Sequence, residues 1–207
     1  MREAKAGHIA VTFNGSLANI PLDAQFSVPA KGVTATLGPP GCGKTTLARC
    51  IAGVQRLPNA FCAVDGAIWQ DETTFRPPHL RPVAYVFQLP ILFSHWSVRR
   101  TLLHNASKST PTLIDFDGVV ELLALAPLLE RSPSHLSAAE RQRLALGGAL
   151  LGQPRLHLLD DPLVVLDRSA KCEILPFLER LREQLPLPMI YISHDIAVSS
   201  VFPIILS

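Results

Sequence analysis

Apolar and polar positions alternate with two different periods along this chain, and the periods separate strand-like from helix-like segments. The strand-like segments are "KGVTATL" (31–37), "PVAYVFQ" (82–88), "RLHLLDD" (155–161) and "PMIYISHD" (188–195). The segment "TTLARCIAG" (45–53) predicts a helix that ends at Gly53, and "SAKCEILPFLERLREQL" (169–185) predicts a helix kinked by Pro176. Strands that alternate with helices indicate an α/β fold with a mainly parallel sheet.

The strand pattern is interrupted between about Ser94 and Leu151. In this stretch "FDGVVELLALAPLLE" and "AAERQRLALGGALL" both have helical periodicity. We therefore predict a single domain over residues 1–207, in which 1–93 and 152–207 form the core and 94–151 form an inserted helical subdomain.

Composition narrows the class of protein. Hydrophobic residues make up 48% of the 207 residues and charged residues 17%, which is typical of a globular protein. The net charge of +2 does not indicate a nucleic-acid partner. No apolar stretch approaches the ~18 residues of a membrane span, and the start "MREAKAGHIAVTF" lacks the apolar core of a signal peptide. Four cysteines without a C-x-x-C pair fit a reducing cytoplasm.

The stretch "GPPGCGKTT" lies between a predicted strand and a predicted helix, which is the context of a phosphate-binding loop. Its glycines allow backbone N–H groups to turn inward around a phosphate chain. The positively charged Lys44 side chain can contact the β- and γ-phosphates, and the Thr45 hydroxyl can ligate Mg²⁺. A chance glycine-rich turn is the alternative, and the flanking elements argue against it. The predicted nucleotide-binding residues are Gly38, Pro39, Pro40, Gly41, Cys42, Gly43, Lys44, Thr45 and Thr46.

Two consecutive carboxylates end the strand "RLHLLDD". In a phosphate-loop fold, Asp160 would hold Mg²⁺ through water and Asp161 would polarise the attacking water. An acidic turn closed by Pro162 would need neither role. Because the phosphate loop precedes this pair, we favour the functional interpretation.

The stretch "HLSAAERQR" (135–143) has two interpretations. Ser137 and Glu140 match the S-x-x-E capping box, so the stretch could do no more than begin a helix. Its spacing to the other motifs favours a function, because Ser137 stands 23 residues before Asp160 and Asp160 stands 34 residues before His194.

In this order and at these spacings, the motifs resemble those of the ATP-binding subunits of ABC transporters. That family has a phosphate loop, a Q-loop glutamine, an "LSGGQ"-type signature, a strand-end Asp-Glu pair, a D-loop and a switch histidine. The counterparts here are "GPPGCGKTT", Gln88 in "YVFQ", "LSAAERQR", "LLDDP", Leu166-Asp167 and His194 in "ISHD". The resemblance covers nearly the whole chain.

The resemblance implies a P-loop NTPase fold: a RecA-like core with a mainly parallel sheet, an N-terminal antiparallel β part and the inserted helical subdomain. It also implies that two copies enclose two ATP molecules, each held by the phosphate loop of one copy and by Ser137 and Ala139 of the other. Thr45, Gln88 and Asp160 are the implied Mg²⁺ residues. The implied catalytic residues are Asp161, His194 and Gln88, and Gln88 would also couple hydrolysis to a membrane subunit.

Within the family, the segments "YVFQLPILFSHWSVRRTLLHN" and "EILPFLERLREQLPLPMIYISHD" are most similar to the ATPase subunits of molybdate importers. The implied partner is an integral membrane permease, which would hold the protein at the cytoplasmic face of the inner membrane. Subunits of importers for sulfate or other small solutes are similar enough to stay open as alternatives.

The sequence departs from the family pattern at several positions. Ala138 and Ala139 replace the signature glycines, and Asp161, one methylene shorter, replaces the catalytic glutamate, so slow hydrolysis is expected. "VVLD" replaces the small residues before the D-loop. The sequence ends 13 residues after His194, so a C-terminal oxyanion-binding domain is expected to be absent. Phe13 is the best candidate to stack on adenine.

Two other classes of protein remain as hypotheses. A nucleotide-dependent clamp with negligible turnover would explain Ala138, Ala139 and Asp161. An unrelated P-loop kinase or GTPase is disfavoured because the sequence has no N-K-x-D guanine motif and because such a protein would leave the signature and the histidine unexplained.

Overall fold

The computed structural model describes residues 4–17, 20–90, 92–106, 114–184, 187–194 and 204–206. The strands among them are β1 (His8–Leu17), β2 (Ile20–Pro29), β3 (Val33–Leu37), β4 (Phe61–Val64), β5 (Ala67–Gln70), β6 (Val83–Val86), β7 (Leu156–Asp160), β8 (Met189–Ser193) and β9 (Ile204–Leu206). The α-helices are α1 (Lys44–Ala52), α2 (Val98–Asn105), α3 (Phe116–Leu122), α4 (Ala138–Leu151) and α5 (Arg168–Gln184). Leu185 and Asp195, the last residues of two predicted segments, lie outside the described residues.

The chain divides into two units. The first consists of Met1–Tyr85, Leu156–Asp161 and Leu187–Ser207, and the second consists of Val86–Arg155 and Pro162–Pro186. The second unit therefore includes α5 in addition to the whole of the segment 94–151 that the sequence assigns to the helical subdomain.

Two sheets supply the strands of the fold. One has the order β2-β1-β4-β5, and its pairs are antiparallel. The other has the order β6-β7-β8-β3-β9, in which β7, β8, β3 and β9 run parallel to one another. These sheets confirm the predicted N-terminal antiparallel part and the mainly parallel sheet. In the parallel sheet, β3 and β7 both pair with β8, so the phosphate loop after β3 and the two aspartates at the end of β7 reach the same edge.

The core of the first unit forms around α1. Leu47 and Ile51 of this helix are buried in one cluster with Val11 of β1, Leu158 of β7 and Ile190 of β8. Each such side chain contributes about 1.5–3 kcal/mol to folding when it leaves water. Because α1 also begins at the phosphate loop, this packing fixes the direction in which the N-terminal end of the helix points.

In the second unit α4 covers the predicted segment "AAERQRLALGGALL" from end to end. Both hydrogen bonds of the capping box are present, since the Ser137 hydroxyl accepts from the Glu140 N–H and the Glu140 carboxylate accepts from the Ser137 N–H. The Arg143 guanidinium pairs with Glu173 of α5 at 3.0 Å and lies over the Phe177 ring. These contacts explain why α5 belongs with the helices of this unit.

The predicted helix "FDGVVELLALAPLLE" is shorter in the structure. It forms α3 and then a 3₁₀ turn over Ala126–Leu128. The chain leaves the helix at Ala124, whose φ is 49°, and Pro127 in the following turn has no N–H with which to continue the helix. No helix within the described ranges is both long enough and apolar enough to cross a bilayer.

Candidate functional site

The predicted phosphate loop joins β3 to α1 through two glycines in the left-handed conformation. Gly41 has φ 83° and Gly43 has φ 94°, values that other residues adopt only with strain. A side chain at Gly43 would also meet the Leu22 side chain at 3.4 Å and the Pro21 carbonyl at 3.5 Å. Gly43 is the N-cap of α1 and has no side chain to cap the helix, so the first N–H groups of α1 are left for another acceptor. This is the geometry that binds phosphate.

The ammonium group of Lys44 folds back over the loop. Its Nζ donates to the carbonyl oxygens of Gly38 and Pro39, each at 2.7 Å, and lies 3.5 Å from the Cys42 sulfur. These contacts place a positive charge beside the positive end of the helix dipole, so the loop attracts anions.

The other end of α1 is fixed by a buried arginine. The Arg81 guanidinium donates to the carbonyl oxygens of Cys50 at 2.9 Å and Ile51 at 2.6 Å. Gly53 ends the helix in the left-handed conformation, as predicted, and any side chain there would collide with Arg81. A cation at the C-terminal end offsets the negative end of the helix dipole and holds the helix that carries the phosphate loop.

Asp160 lies at the end of β7, with only 3% of its surface exposed. Its Oδ1 accepts from the Thr45 hydroxyl at 3.1 Å, and its Oδ2 accepts from the Tyr85 hydroxyl at 2.6 Å. The structure therefore brings together two of the three predicted Mg²⁺ residues, Thr45 and Asp160. A hydroxyl and a carboxylate oxygen are the hard ligands that Mg²⁺ prefers, so these residues fit that ion.

Asp161 has a separate set of partners. Its Oδ1 accepts from the Ser193 hydroxyl at 3.1 Å, and its Oδ2 is hydrogen-bonded to Nδ1 of His194. The backbone is left-handed, with φ 46°, and the Asp161 N–H donates to the Ile192 carbonyl. Aspartate tolerates this conformation better than most residues. Asp161 and His194, which the sequence predicts to be catalytic, are thus in contact.

The other predicted site residues lie in the second unit. Gln88 is exposed, two residues after the end of β6. Ser137 is the exposed N-cap of α4. Of the two alanines that replace glycine, Ala139 is buried with 1% of its surface exposed, whereas Ala138 is partly exposed. The added methyl group that faces outward is therefore that of Ala138.

One prediction about the site needs revision. Phe13, the candidate to stack on adenine, is fully buried in the core, so it does not present its ring to a nucleotide. Alternation along β1 gives the reason, since Ile9, Val11 and Phe13 share the inward face.

The sequence did not predict that Tyr85 and Ser193 are hydrogen-bond partners of the two aspartates. Both residues belong to predicted strands, but no motif marks either of them as part of the site.

A glycine-rich loop between a strand and a helix, with carboxylates at the end of a second parallel strand of the same sheet, defines a P-loop nucleotide-binding protein. The model of the ABC transporter family matches residues 22–164. This chain belongs to the ABC transporter family.

Several curated proteins are similar over nearly the whole chain. The molybdenum import ATP-binding protein ModC 1 of Bradyrhizobium diazoefficiens is 84% identical over 195 residues, which are 94% of this chain and 53% of that protein. ModC 2 of the same organism is 63% identical over 92% of this chain and 21% of its own length. ModC of Rhodopseudomonas palustris strain BisB18 is 57% identical over 91% of this chain and 50% of its own length. The chain thus spans about half the length of ModC 1 and of the Rhodopseudomonas protein.

A solved structure has the same fold. The cbiO1 protein of Clostridium perfringens, described as part of the ABC transporter complex cbiONQ, superposes with a TM-score of 0.77. The match covers 96% of this chain and 83% of the other, at 24% sequence identity.

Proposed function

We propose that the chain is the ATP-binding, energy-coupling part of an ABC importer, that it binds ATP with Mg²⁺, and that it hydrolyses the ATP slowly. The proposal rests on the observation that two adjacent carboxylates have different hydrogen-bond partners. Asp160 is bonded to the hydroxyl of the phosphate-loop helix, whereas Asp161 is bonded to His194 and Ser193. Neighbouring carboxylates with different partners can perform different tasks.

Each group in the first unit then has a role. The N–H groups of the loop and the Lys44 ammonium bind the phosphates, and the Thr45 hydroxyl with Asp160 would hold Mg²⁺. When bound there, the ion would supply positive charge that offsets the negative charge of the phosphates. Asp161 orients the attacking water and accepts its proton, while His194 keeps the Asp161 carboxylate in place.

We also propose that ATP joins two copies of the chain, with Ser137 of one copy facing the γ-phosphate bound by the other. The support is the exposed N-terminal end of α4, whose helix dipole favours an anion. The same stretch of α4 carries Ala138 in place of glycine, which leaves a methyl group on this surface.

Dimerisation can be measured with Asp161→Asn, in which hydrolysis is blocked. We expect light scattering to show a dimer with Mg-ATP and a monomer without it. Adding Ser137→Asp should keep the helix cap, because aspartate is also a good N-cap, but should place a negative charge against the phosphate and prevent dimerisation. Ser97→Asp, at the N-cap of α2, is the matched control. A monomer at saturating ATP, or a dimer that tolerates Ser137→Asp, would contradict the proposed arrangement.

The second unit supports a membrane permease as the partner. Phe87, Leu89, Phe93 and Leu103 are exposed there, and the Phe93 ring packs on Trp96 with ring centroids 4.4 Å apart. The Phe93 ring also packs against His104, which lines the same groove as Trp96 and Leu103, and a contiguous exposed apolar patch is typical of a protein interface. Through this partner the protein would work at the cytoplasmic face of the inner membrane.

Molybdate is the solute we propose, because the similar proteins named for molybdenum import match more than nine-tenths of the chain. The chain can replace the matching half of ModC 1 in a Bradyrhizobium diazoefficiens strain that lacks both ModC 1 and ModC 2. We expect the hybrid to restore cell molybdenum content at low molybdate, and the same hybrid with Lys44→Ala to fail. Restored sulfate uptake without restored molybdenum content would instead support an importer of a related anion.

The alternative is a nucleotide-dependent clamp that binds ATP with negligible turnover. Two observations favour it, the methyl group of Ala138 at the start of α4 and the short side chain of Asp161. Steady-state ATP turnover of the protein, measured beside that of an Asp161→Glu variant, separates the two functions.

A further inference from the structure

The carboxylate of Asp160 is held by two hydroxyl groups from different elements. Thr45 of α1 donates to one oxygen at 3.1 Å, and Tyr85 of β6 donates to the other at 2.6 Å. Both bonds span long stretches of sequence, since Tyr85 and Thr45 are 75 and 115 residues from Asp160. The side chain is therefore fixed in orientation from both sides.

Tyr85 lies on the same side of the sheet as Asp160, where it packs against the buried cluster around α1. A tyrosine hydroxyl is protonated near neutrality, so Tyr85 acts as the donor in its 2.6 Å hydrogen bond to the Asp160 carboxylate. Without this donor, one oxygen of a buried carboxylate would lose its hydrogen-bond partner.

We propose that Tyr85 is a positioning residue for the Mg²⁺ site. Its hydroxyl fixes the Asp160 carboxylate so that Oδ1 faces Thr45, the side on which the metal would be held. This inference rests on the proposed Mg-ATP binding. Partners of this kind, which touch a ligand group and not the metal, typically change metal affinity by about 10- to 100-fold when they are removed.

A purely structural role is the competing explanation, in which the bond merely joins β6 to β7. The two explanations differ in what they predict for metal-free nucleotide. A positioning role affects binding of the divalent cation and leaves ATP binding in EDTA unchanged. A structural role would change the melting temperature and both kinds of binding together.

The test is Tyr85→Phe, which removes only the hydroxyl. Mn²⁺ affinity is measured by electron paramagnetic resonance with a non-hydrolysable ATP analogue, and analogue affinity is measured separately in EDTA. We expect Mn²⁺ to bind about tenfold more weakly and the affinity in EDTA to stay within about twofold. Tyr191→Phe is the matched control, because Tyr191 pairs with Leu159 in the sheet and so points to the face opposite Asp160.

A double-mutant cycle with Asp160→Asn makes the inference specific to that carboxylate. If Tyr85 acts through Asp160, Tyr85→Phe should not weaken Mn²⁺ binding further in the Asp160→Asn protein. Equal Mn²⁺ affinity in Tyr85→Phe and the parent protein, or an equal loss in both backgrounds, would overturn the inference. Failure of the parent protein to bind the analogue even without metal would instead overturn the proposed function. Should Tyr85→Phe not fold, Tyr85→Met also removes the donor, and an Mn²⁺ affinity equal to that of the parent protein would overturn the inference in the same way.

Discussion

Lengthening Asp161 to glutamate is expected to raise the kcat of ATP hydrolysis by about 10- to 100-fold, with the KM for ATP changed by no more than about twofold. The carboxylate of Asp161 is drawn toward Ser193 and His194, and only 8% of its side chain is exposed. A base must come within roughly 2.6–3.2 Å of the attacking water. One additional methylene extends the reach of the carboxylate, so we expect it to come within this distance of the water.

The effect should fall on kcat because the carboxylate interacts with the water mainly in the transition state. The φ of 46° at Asp161 is less favourable for glutamate, so we expect a small loss of stability. Steady-state phosphate release measures the rate, and thermal unfolding measures the loss of stability. Asp117→Glu, at an exposed position in the first turn of α3, is the matched control for the substitution itself.

Asp161→Asn sets the background rate, since an amide cannot accept the proton. One outcome is that the parent protein exceeds this background while the glutamate variant is no faster than the parent. That result would mean that the contacts of Asp161 with Ser193 and His194 already suit the site to aspartate. Rates at the background for all three proteins would favour the clamp. These outcomes separate the two functions that the sequence leaves open.

Structural features that depend on residues close together in the sequence were predictable. Gly53 ends α1, and Ser137 with Glu140 forms the capping box, because each depends on residues within about one helical turn. The phosphate loop belongs to the same group, since the spacing of Gly41, Gly43 and Lys44 defines it locally.

Features set by the lateral order of strands were not predictable from this sequence. Tyr85 reaches Asp160 because β6 lies next to β7, and Ser193 reaches Asp161 because β8 lies on the other side. No local pattern specifies that order. The error at Phe13 was of a different kind, because the alternation of β1 already places this residue on the inward face.

Replacing Lys44 by alanine is expected to weaken ATP binding by about 10- to 100-fold, which corresponds to the ~1.5–3 kcal/mol of a hydrogen bond to a charged group. The Nζ of Lys44 lies across the loop on the carbonyl oxygens of Gly38 and Pro39, beside the N-terminal end of α1. An ammonium in this place can move to the β- and γ-phosphates without leaving the loop. Calorimetric titration with ATP and with ADP measures the loss.

The fold itself should tolerate Lys44→Ala. Gly38 is only partly buried and Pro39 is exposed, so water can take the place of the lost donor at both carbonyl oxygens. Lys31→Ala, which removes an exposed lysine just before β3, is the matched control and should leave ATP affinity unchanged. ADP has no γ-phosphate, so its affinity should fall less than that of ATP. If Lys44→Ala and the parent protein bind ATP equally well, the loop does not hold the phosphates, and the assignment of the nucleotide site to it is wrong.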